Sequence, residues 1–214
     1  MGKKDKISDA VVKRLPRYYH CLKDLERNGI ARVSSNIISG TLNVTASQVR
    51  QDFANFGEFG QQGYGYDVNY LKTQIAGLLG LDKSYRAVVI GGGNIGTALA
   101  RYQGFKDEGF LIDCVFDISP EKVAAGAVTV RHIDEFESYV AENPTDIAII
   151  ATGVASAKEV AIRAVKAGIT AIWNFAPIDL YFGENIAVEN INMSESLFML
   201  SYKFKSIRSK GEKK

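Results

Sequence analysis

Cysteine, histidine and tryptophan are scarce in this chain of 214 residues, which has two, two and one of them. Cys21 and Cys114 fit neither a metal-ligand spacing nor a disulfide framework. Both sit among apolar residues, so buried structural thiols are expected rather than a redox switch. With only His20 and His132 besides, no His/Cys metal site is expected. Long hydrophobic runs are missing too: apolar stretches such as residues 146–154 fall far short of the roughly 20 residues a membrane span needs. The opening MGKKDKISDA is charged and polar with no apolar run behind it, unlike a signal peptide. The expectation is a soluble, cytoplasmic protein with no membrane partner and no metal.

The net charge of +2 conceals an asymmetry. Residues 1–86 carry 13 basic and 8 acidic side chains, whereas residues 87–214 carry 13 and 16. A basic first part joined to an acidic second part points to an anionic partner for the first; an ordinary solvated surface is the alternative.

The residue pattern divides near residues 80–86. Before it, Ser8 is positioned to cap a helix whose apolar residues Val11, Leu15, Tyr18, Leu22 and Leu25 recur every three or four positions. Pro16 either kinks that helix or marks a later start, and Asn28-Gly29 ends it. Ser34 or Ser35 caps a short helix with Ile37, Ile38 and Leu42. Thr45 begins a third, with Gln48 as its capping-box partner. That third helix has an apolar face of Val49, Phe53 and Phe56 and an outward face of Ser47, Gln48, Arg50, Gln51 and Asn55. The alternating glycines and aromatics of residues 57–66 suit a tight ribbon, and a fourth helix over residues 68–79 closes at Gly80.

Helix, short helix, capped helix, ribbon is the order of a winged helix-turn-helix, in which the third helix enters the major groove. Thr45, Ser47, Gln48, Arg50, Gln51 and Asn55 are side chains able to reach bases or phosphates, and Gln61, Gln62, Tyr64 and Tyr66 on the wing suit sugar-phosphate contacts. A small helical bundle with a merely wet polar face is the competing reading.

From Tyr85 strands alternate with helices: strands over residues 85–90, 110–117, 128–132, 146–151, 170–175 and 187–191, with helices over 97–105, 134–142 and 156–167. This pattern implies a mostly parallel doubly wound sheet. Gly91-Gly-Gly93-Asn-Ile-Gly96 directly follows the first strand and opens a helix, and Asp117 ends the second strand, 24 positions after Gly93. That context makes the glycines a dinucleotide fingerprint. Gly91 permits the turn, Gly93 lets backbone approach a pyrophosphate, and Gly96 lets the helix pack close. The helix N-terminus offers N–H groups to the phosphates, and Asp117 accepts ribose hydroxyls and repels a 2′-phosphate, favouring NADH and NAD+ over their phosphorylated forms. A glycine-rich turn without ligand is the alternative. The cofactor-binding set expected here is Gly91, Gly92, Gly93, Asn94, Ile95, Gly96, Asp117 and Ile118, with Thr152, Gly153, Asn174, Ala176 and Pro177 at other strand ends. Asn174 is either a ligand contact or a turn former before the proline.

No residue stands out as a proton donor beside a nicotinamide, because His20 lies in the first helix and His132 in a peripheral strand. No catalytic residue is assigned, and a ligand-responsive binder fits better than a catalyst. A small NAD-dependent oxidoreductase, with Tyr102 or a lysine as acid, is the rival, and a coenzyme-A-binding domain is a third possibility. The last helix, capped by Asn192 with Glu195 at the capping-box position, carries a stripe of Leu197, Leu200, Phe204 and Ile207. It packs either on its own domain or on a second subunit.

The combination resembles the Rex family of redox-sensing transcriptional repressors from about Val12 to Ile207. The matching pieces are Arg14-Leu-Pro-Arg-Tyr-Tyr19, Val49-Arg50-x-Asp52, Phe56-Gly-x-Phe-Gly60, Gly63-x-Gly-Tyr-Asp67, the glycine turn, Phe116-Asp117, Asn174-Phe-Ala-Pro177 and Ala187-Val-Glu-Asn190. The resemblance implies a homodimer with three parts. Residues 1–80 form a winged-helix DNA-binding domain, 81–191 a Rossmann domain for NADH or NAD+, and 192–214 a helix exchanged between subunits. It implies that NADH releases the protein from double-stranded operator DNA, an AT-rich inverted repeat, while NAD+ permits repression. By position, Arg50 contacts DNA, Tyr102 lies near the nicotinamide, and Asn192 and Met193 approach the partner's cofactor. Gln51, Gln61 and Gln62 stand where many relatives are basic, which should flatten the salt dependence of DNA binding. His20 and Asn192 stand where some relatives have a charged pair.

Overall fold

A computed structural model describes residues 7–54, 60–61 and 65–211. The chain clusters into two compact units, Met1–Lys83 and Ser84–Lys214.

In the first unit the apolar run splits at Pro16. Helix α1 covers Asp9–Val12 and α2 covers Leu15–Arg27, with the proline in the first turn of α2, where a missing N–H breaks no bond. Ser8 sits at the α1 cap position without a side-chain capping bond. Strand β1, Arg32–Val33, is too short to leave a periodic trace in the sequence. Helix α3, Ser35–Leu42, is capped by Ser34, which accepts from the Ile37 N–H, and ends on Asn43 in the left-handed region at φ 53°. The chain then turns into α4, Ala46–Ala54, where Thr45 Oγ1 accepts the Gln48 N–H at 3.1 Å. The Gln48 side chain does not complete the capping box; it bonds Asp52 instead.

Strands β2, Gly60–Gln61, and β3, Gly65–Asp67, form the ribbon, and β3 lies antiparallel between β1 and β2. Gly65 has φ 71°, and a Cβ there would stand 2.7 Å from the Val33 carbonyl oxygen, so only glycine lets these strands meet. Asp67 caps α5, Val68–Leu79, which Gly80 terminates at φ 74°. The helices close on Leu15, Tyr18, Leu22, Ile38, Val49, Phe53, Leu71 and Ile75, all buried.

The second unit is a sheet of six parallel strands in spatial order β6-β5-β4-β7-β8-β9: β4 Tyr85–Ile90, β5 Phe110–Asp117, β6 Thr129–His132, β7 Ile147–Ile150, β8 Ala171–Asn174 and β9 Ala187–Asn190. This is the doubly wound dinucleotide-binding order, with its switch point between β4 and β7. Helix α6 covers Asn94–Arg101, beginning three residues before the expected start because it issues straight from the glycine turn. It stops at Tyr102, which is extended, and a separate short α7 covers Gly104–Asp107. The chain folds back over the Tyr102 ring, and a Cβ on Gly104 would lie 2.6 Å from that ring. Helices α8, Phe136–Glu142, and α9, Val154–Lys166, cover one sheet face over Val88, Ile90, Phe116, Ala148 and Ile150.

The opposite face is only half covered. Leu99 and Ala100 of α6 pack over the β4–β5 side, but no helix joins β8 to β9. Ala87, Ile147, Ile149 and Trp173 therefore line an open apolar cavity of about 490 Å³.

Helix α10, Met193–Gly211, is capped by Asn192, whose Oδ1 accepts the Ser194 N–H at 3.1 Å. Its stripe does not pack on its own domain: Leu197, Leu200, Phe204 and Ile207 are 57–69% exposed. Both thiols are buried, as expected, and burial pushes Cys114 up to about 11.

Candidate functional site

Strands β4, β5 and β7 end at one level, because Ile90 pairs in register with Phe116 and with Ile150. The glycine turn, Asp117 and the Thr152-Gly153 pair thus come together at the switch point. Gly91 has φ 105°, and a Cβ on it would lie 2.6 Å from the Ala151 carbonyl oxygen. On Gly96 a Cβ would lie 1.8 Å from the Gly91 carbonyl oxygen, so α6 sits against the turn at a distance that only glycine permits. A Cβ on Gly92 would meet Val123 at 2.3 Å, whereas Gly93 and Gly153 have no atom within 4 Å of that position. The space over those last two glycines is what close approach of a pyrophosphate requires. Neither α6 nor α9 has a side-chain cap at its N-terminus, so their first-turn N–H groups are available to an anion.

Asp117 accepts the Gly92 N–H at 2.6 Å on one oxygen and the Ser119 N–H at 2.8 Å on the other. These bonds aim the carboxylate at the turn, and each oxygen keeps an acceptor site for a ribose hydroxyl. Ile118 beside it is 77% exposed. Thr152 Oγ1 is buried and, among the described side chains, is the one such atom without a hydrogen-bond partner. A buried orphan hydroxyl at the switch point, open glycines and an aimed carboxylate together fit a dinucleotide.

Other expected residues are engaged differently, Asn174 at the same strand-end level as Ile150 and the rest farther off. Asn174 is fully buried, and both its amide hydrogens are spent, on the Ile178 carbonyl at 2.7 Å and on Asn190 Oδ1 at 2.8 Å. Its oxygen accepts the Ala176 N–H at 3.0 Å. Of its two readings the structure favours the turn former: Asn174 has no donor left for a ligand and pins the loop that carries Ala176 and the exposed Pro177. Tyr102 is 60% exposed at the far end of α6, about 12 Å of helix rise from the turn. Met193, 55% exposed, opens α10. His132 is occupied as a cap, its Nδ1 accepting the Asp134 N–H.

In the first unit, Thr45, Ser47, Arg50 and Gln51 are exposed. Arg50 Nη1 lies 3.1 Å from Ser35 Oγ, which holds the guanidinium across the helix-turn-helix. Two of the residues expected to contact DNA also make contacts within the unit. Tyr66 is half-buried, its ring edge-on to Phe53 at 5.0 Å, so it is chiefly a core side chain. Gln48 is half-exposed and donates to Asp52 at 2.7 Å. Asn55, Gln62, Tyr64, Phe56 and the Gln61 side chain lie outside the described residues.

Asp52 is the residue that pattern reading misses. It is fully buried and accepts both a forked bond from Arg14, at 2.6 and 2.7 Å, and the Tyr18 hydroxyl at 2.7 Å. The available signal is its position three residues after Val49, on the apolar face. Burial alone would raise its carboxyl, but the bonds from Arg14, Tyr18 and Gln48 outweigh that and hold it below the ordinary carboxylate range. A depressed folded value means stability that is present above the unfolded pKa of about 3.9 and is lost as pH falls toward the folded one. Thermal melts should therefore show the first unit weakening below about pH 4, and Asp52→Asn should remove that acid-dependent component.

Comparisons with known proteins agree with this geometry. Residues 6–54 match a family model described as "Putative DNA-binding protein N-terminus", and residues 82–178 match one described as "CoA binding domain". A redox-sensing transcriptional repressor Rex of Caldanaerobacter subterraneus subsp. tengcongensis is 47% identical over 95% of this chain and 92% of its own length. The repressor of the same name in Clostridioides difficile is 47% identical over 96% and 98%. Among solved structures, RSP in complex with NAD+ and operator DNA is 43% identical with a TM-score of 0.87, covering 96% of each chain. RSP in complex with NADH is 40% identical with a TM-score of 0.86, covering 98% of this chain and 99% of that one. The chain belongs to the Rex family of redox-sensing transcriptional repressors.

Proposed function

We propose that this chain is a homodimeric transcriptional repressor that reads the NADH/NAD+ ratio in the cytoplasm and is released from an AT-rich inverted repeat by NADH. The observation that carries the reading is one chain holding both a switch point fitted to a dinucleotide and an exposed Arg50 on α4 of a winged helix-turn-helix. RSP, similar over nearly the whole chain, was solved both with NAD+ and operator DNA and with NADH. Residues 1–80 act as the DNA-binding domain and 81–191 as the dinucleotide domain. Residues 192–214 form a helix exchanged with the partner, a role its exposed stripe supports. Two-fold symmetry sets the recognition helices about 34–36 Å apart, one DNA turn. Tyr102, Asn192 and Met193 lie at the interface, where an apolar surrounding accepts the neutral reduced ring more readily than the cationic oxidised one. Closure around the reduced ring changes the spacing of the helices and breaks their fit to DNA.

The protein acts by binding and does not turn the dinucleotide over. Steady NADH consumption with an aldehyde or ketone would instead support an oxidoreductase. The match of residues 82–178 to a coenzyme-A model favours a second ligand reading, which competition of coenzyme A against NADH decides.

A pair of substitutions tests the main reading. Asp117→Ala should weaken NADH by roughly 10- to 150-fold, the loss of one charge-assisted hydrogen bond of about 1.5–3 kcal/mol, while ligand-free DNA binding is kept. Arg50→Ala should do the reverse. Calorimetry and gel shifts on each variant read the two effects; a variant that loses both activities, or neither, contradicts the division of labour.

A further inference from the structure

Among the described residues, Asp52 is the one fully buried side chain that carries a charge, and it sits in the last turn of α4. Its oxygens are saturated. Oδ2 accepts Arg14 Nε at 2.6 Å and the Tyr18 hydroxyl at 2.7 Å, and Oδ1 accepts Arg14 Nη2 and Gln48 Nε2, each at 2.7 Å. Arg14 and Tyr18 belong to the start of α2, so three of the four bonds tie α4 to another helix. The Tyr18 ring meets Phe53 edge-on at 4.9 Å and extends the same seam.

We infer that Asp52 is a positioning residue for DNA reading: its carboxylate fixes the roll of α4 on α2 and withholds Gln48 from the bases. The inference rests on the reading of α4 as the DNA-contacting helix. A forked guanidinium–carboxylate pair is satisfied in one relative orientation only, whereas apolar packing tolerates small rotations. A buried ion pair usually contributes little net stability over apolar residues of similar size, so orientation is what this pair supplies. Residues 50 and 52 point about 200° apart on a helix, so holding Asp52 inward turns Arg50 outward. A roll of roughly 20° would move an atom about 6 Å from the helix axis by about 2 Å, enough to break a hydrogen bond to a base edge or phosphate. Gln48 lies one turn before Asp52 on the same side. It serves this latch.

The test uses the full-length protein without NADH, at fixed salt. Fluorescence anisotropy compares an AT-rich inverted-repeat duplex chosen for tight binding with a scrambled duplex, and thermal melts run alongside. Asp52→Asn should lower the preference for the chosen duplex at least tenfold. The apolar replacement Arg14→Met with Asp52→Leu should restore the parental melting temperature yet leave that preference at least tenfold down, which a merely structural pair would not do. Parental stability together with parental preference in the double variant overturns the inference. Gln48→Ala, at a half-exposed position, decides even if the Asp52 variants fail to fold. Across single-base-pair changes in the duplex it should relax no one position selectively, and a tenfold loss confined to one base pair overturns the inference. Arg50→Ala is the control on the parent reading: unchanged binding there means that α4 does not read DNA, whatever Asp52 does.

Discussion

Replacing Gly96 by alanine is expected to abolish useful dinucleotide binding and leave a repressor that NADH no longer releases. The added Cβ would stand 1.8 Å from the Gly91 carbonyl oxygen and 3.2 Å from Val89 Cγ1. The obstacle is backbone, so α6 must move away from the sheet. Its N-terminal N–H groups then leave the pyrophosphate position. Losing even two such bonds, at about 1.5–3 kcal/mol each, weakens NADH by roughly 100-fold or more. Overpacking should also destabilise the second unit by about 1–3 kcal/mol. The residues proposed to contact DNA are all in the first unit, so operator affinity without ligand should survive. Calorimetric titration with NADH and a gel shift at saturating NADH measure the two halves. Near-parental NADH affinity in this variant would mean that the ligand does not use the turn.

A single charge in the last helix is expected to split the proposed dimer. Leu200 and Phe204 are 61% and 57% exposed on α10, although a helix with this stripe gains from burial. Burying one such side chain is worth about 1.5–3 kcal/mol, and two-fold symmetry counts it twice. Leu200→Glu should therefore raise the dimer dissociation constant by two to four orders of magnitude, roughly 3–6 kcal/mol. The fold of each chain should be largely unaffected, because the side chain is mostly exposed and belongs to none of the hydrophobic cores. Sedimentation velocity across micromolar to nanomolar concentrations reads the change. A variant that stays dimeric at nanomolar concentration would place the interface elsewhere, with the open apolar face over Ile147, Ile149 and Trp173 as the first alternative.

Much of this was written locally in the chain. Helix α5 and strand β4 run between the residues that pattern and turn chemistry assign, because Asp67, Gly80 and the glycine turn punctuate them. The dinucleotide fingerprint was legible because its chemistry depends on spacing along one strand–turn–helix. What stayed hidden depends on partners distant in sequence. Gln48 looks like an outward residue until Asp52 is seen to need it, and Asp52 is itself explained only by Arg14, 38 positions away. Asn174 stayed open between two readings because its acceptors, the Ile178 carbonyl and Asn190, belong to a loop and an edge strand that periodicity does not connect to it. Tyr66 reads as a wing residue by composition and as core by contact with Phe53. The break at Tyr102 left no proline or capping signal; Gly104 was the only mark of it.

The central claim is that reduced dinucleotide and operator DNA oppose each other through one protein. Linkage makes that opposition reciprocal, so whatever factor NADH takes from DNA affinity, DNA must take from NADH affinity. The direct measurement is NADH affinity for the full-length protein, with and without saturating operator duplex at the same salt. The account predicts weaker NADH binding on DNA by about 5- to 150-fold, matching the factor by which NADH weakens the operator complex. Equal NADH affinities in the two titrations would contradict it.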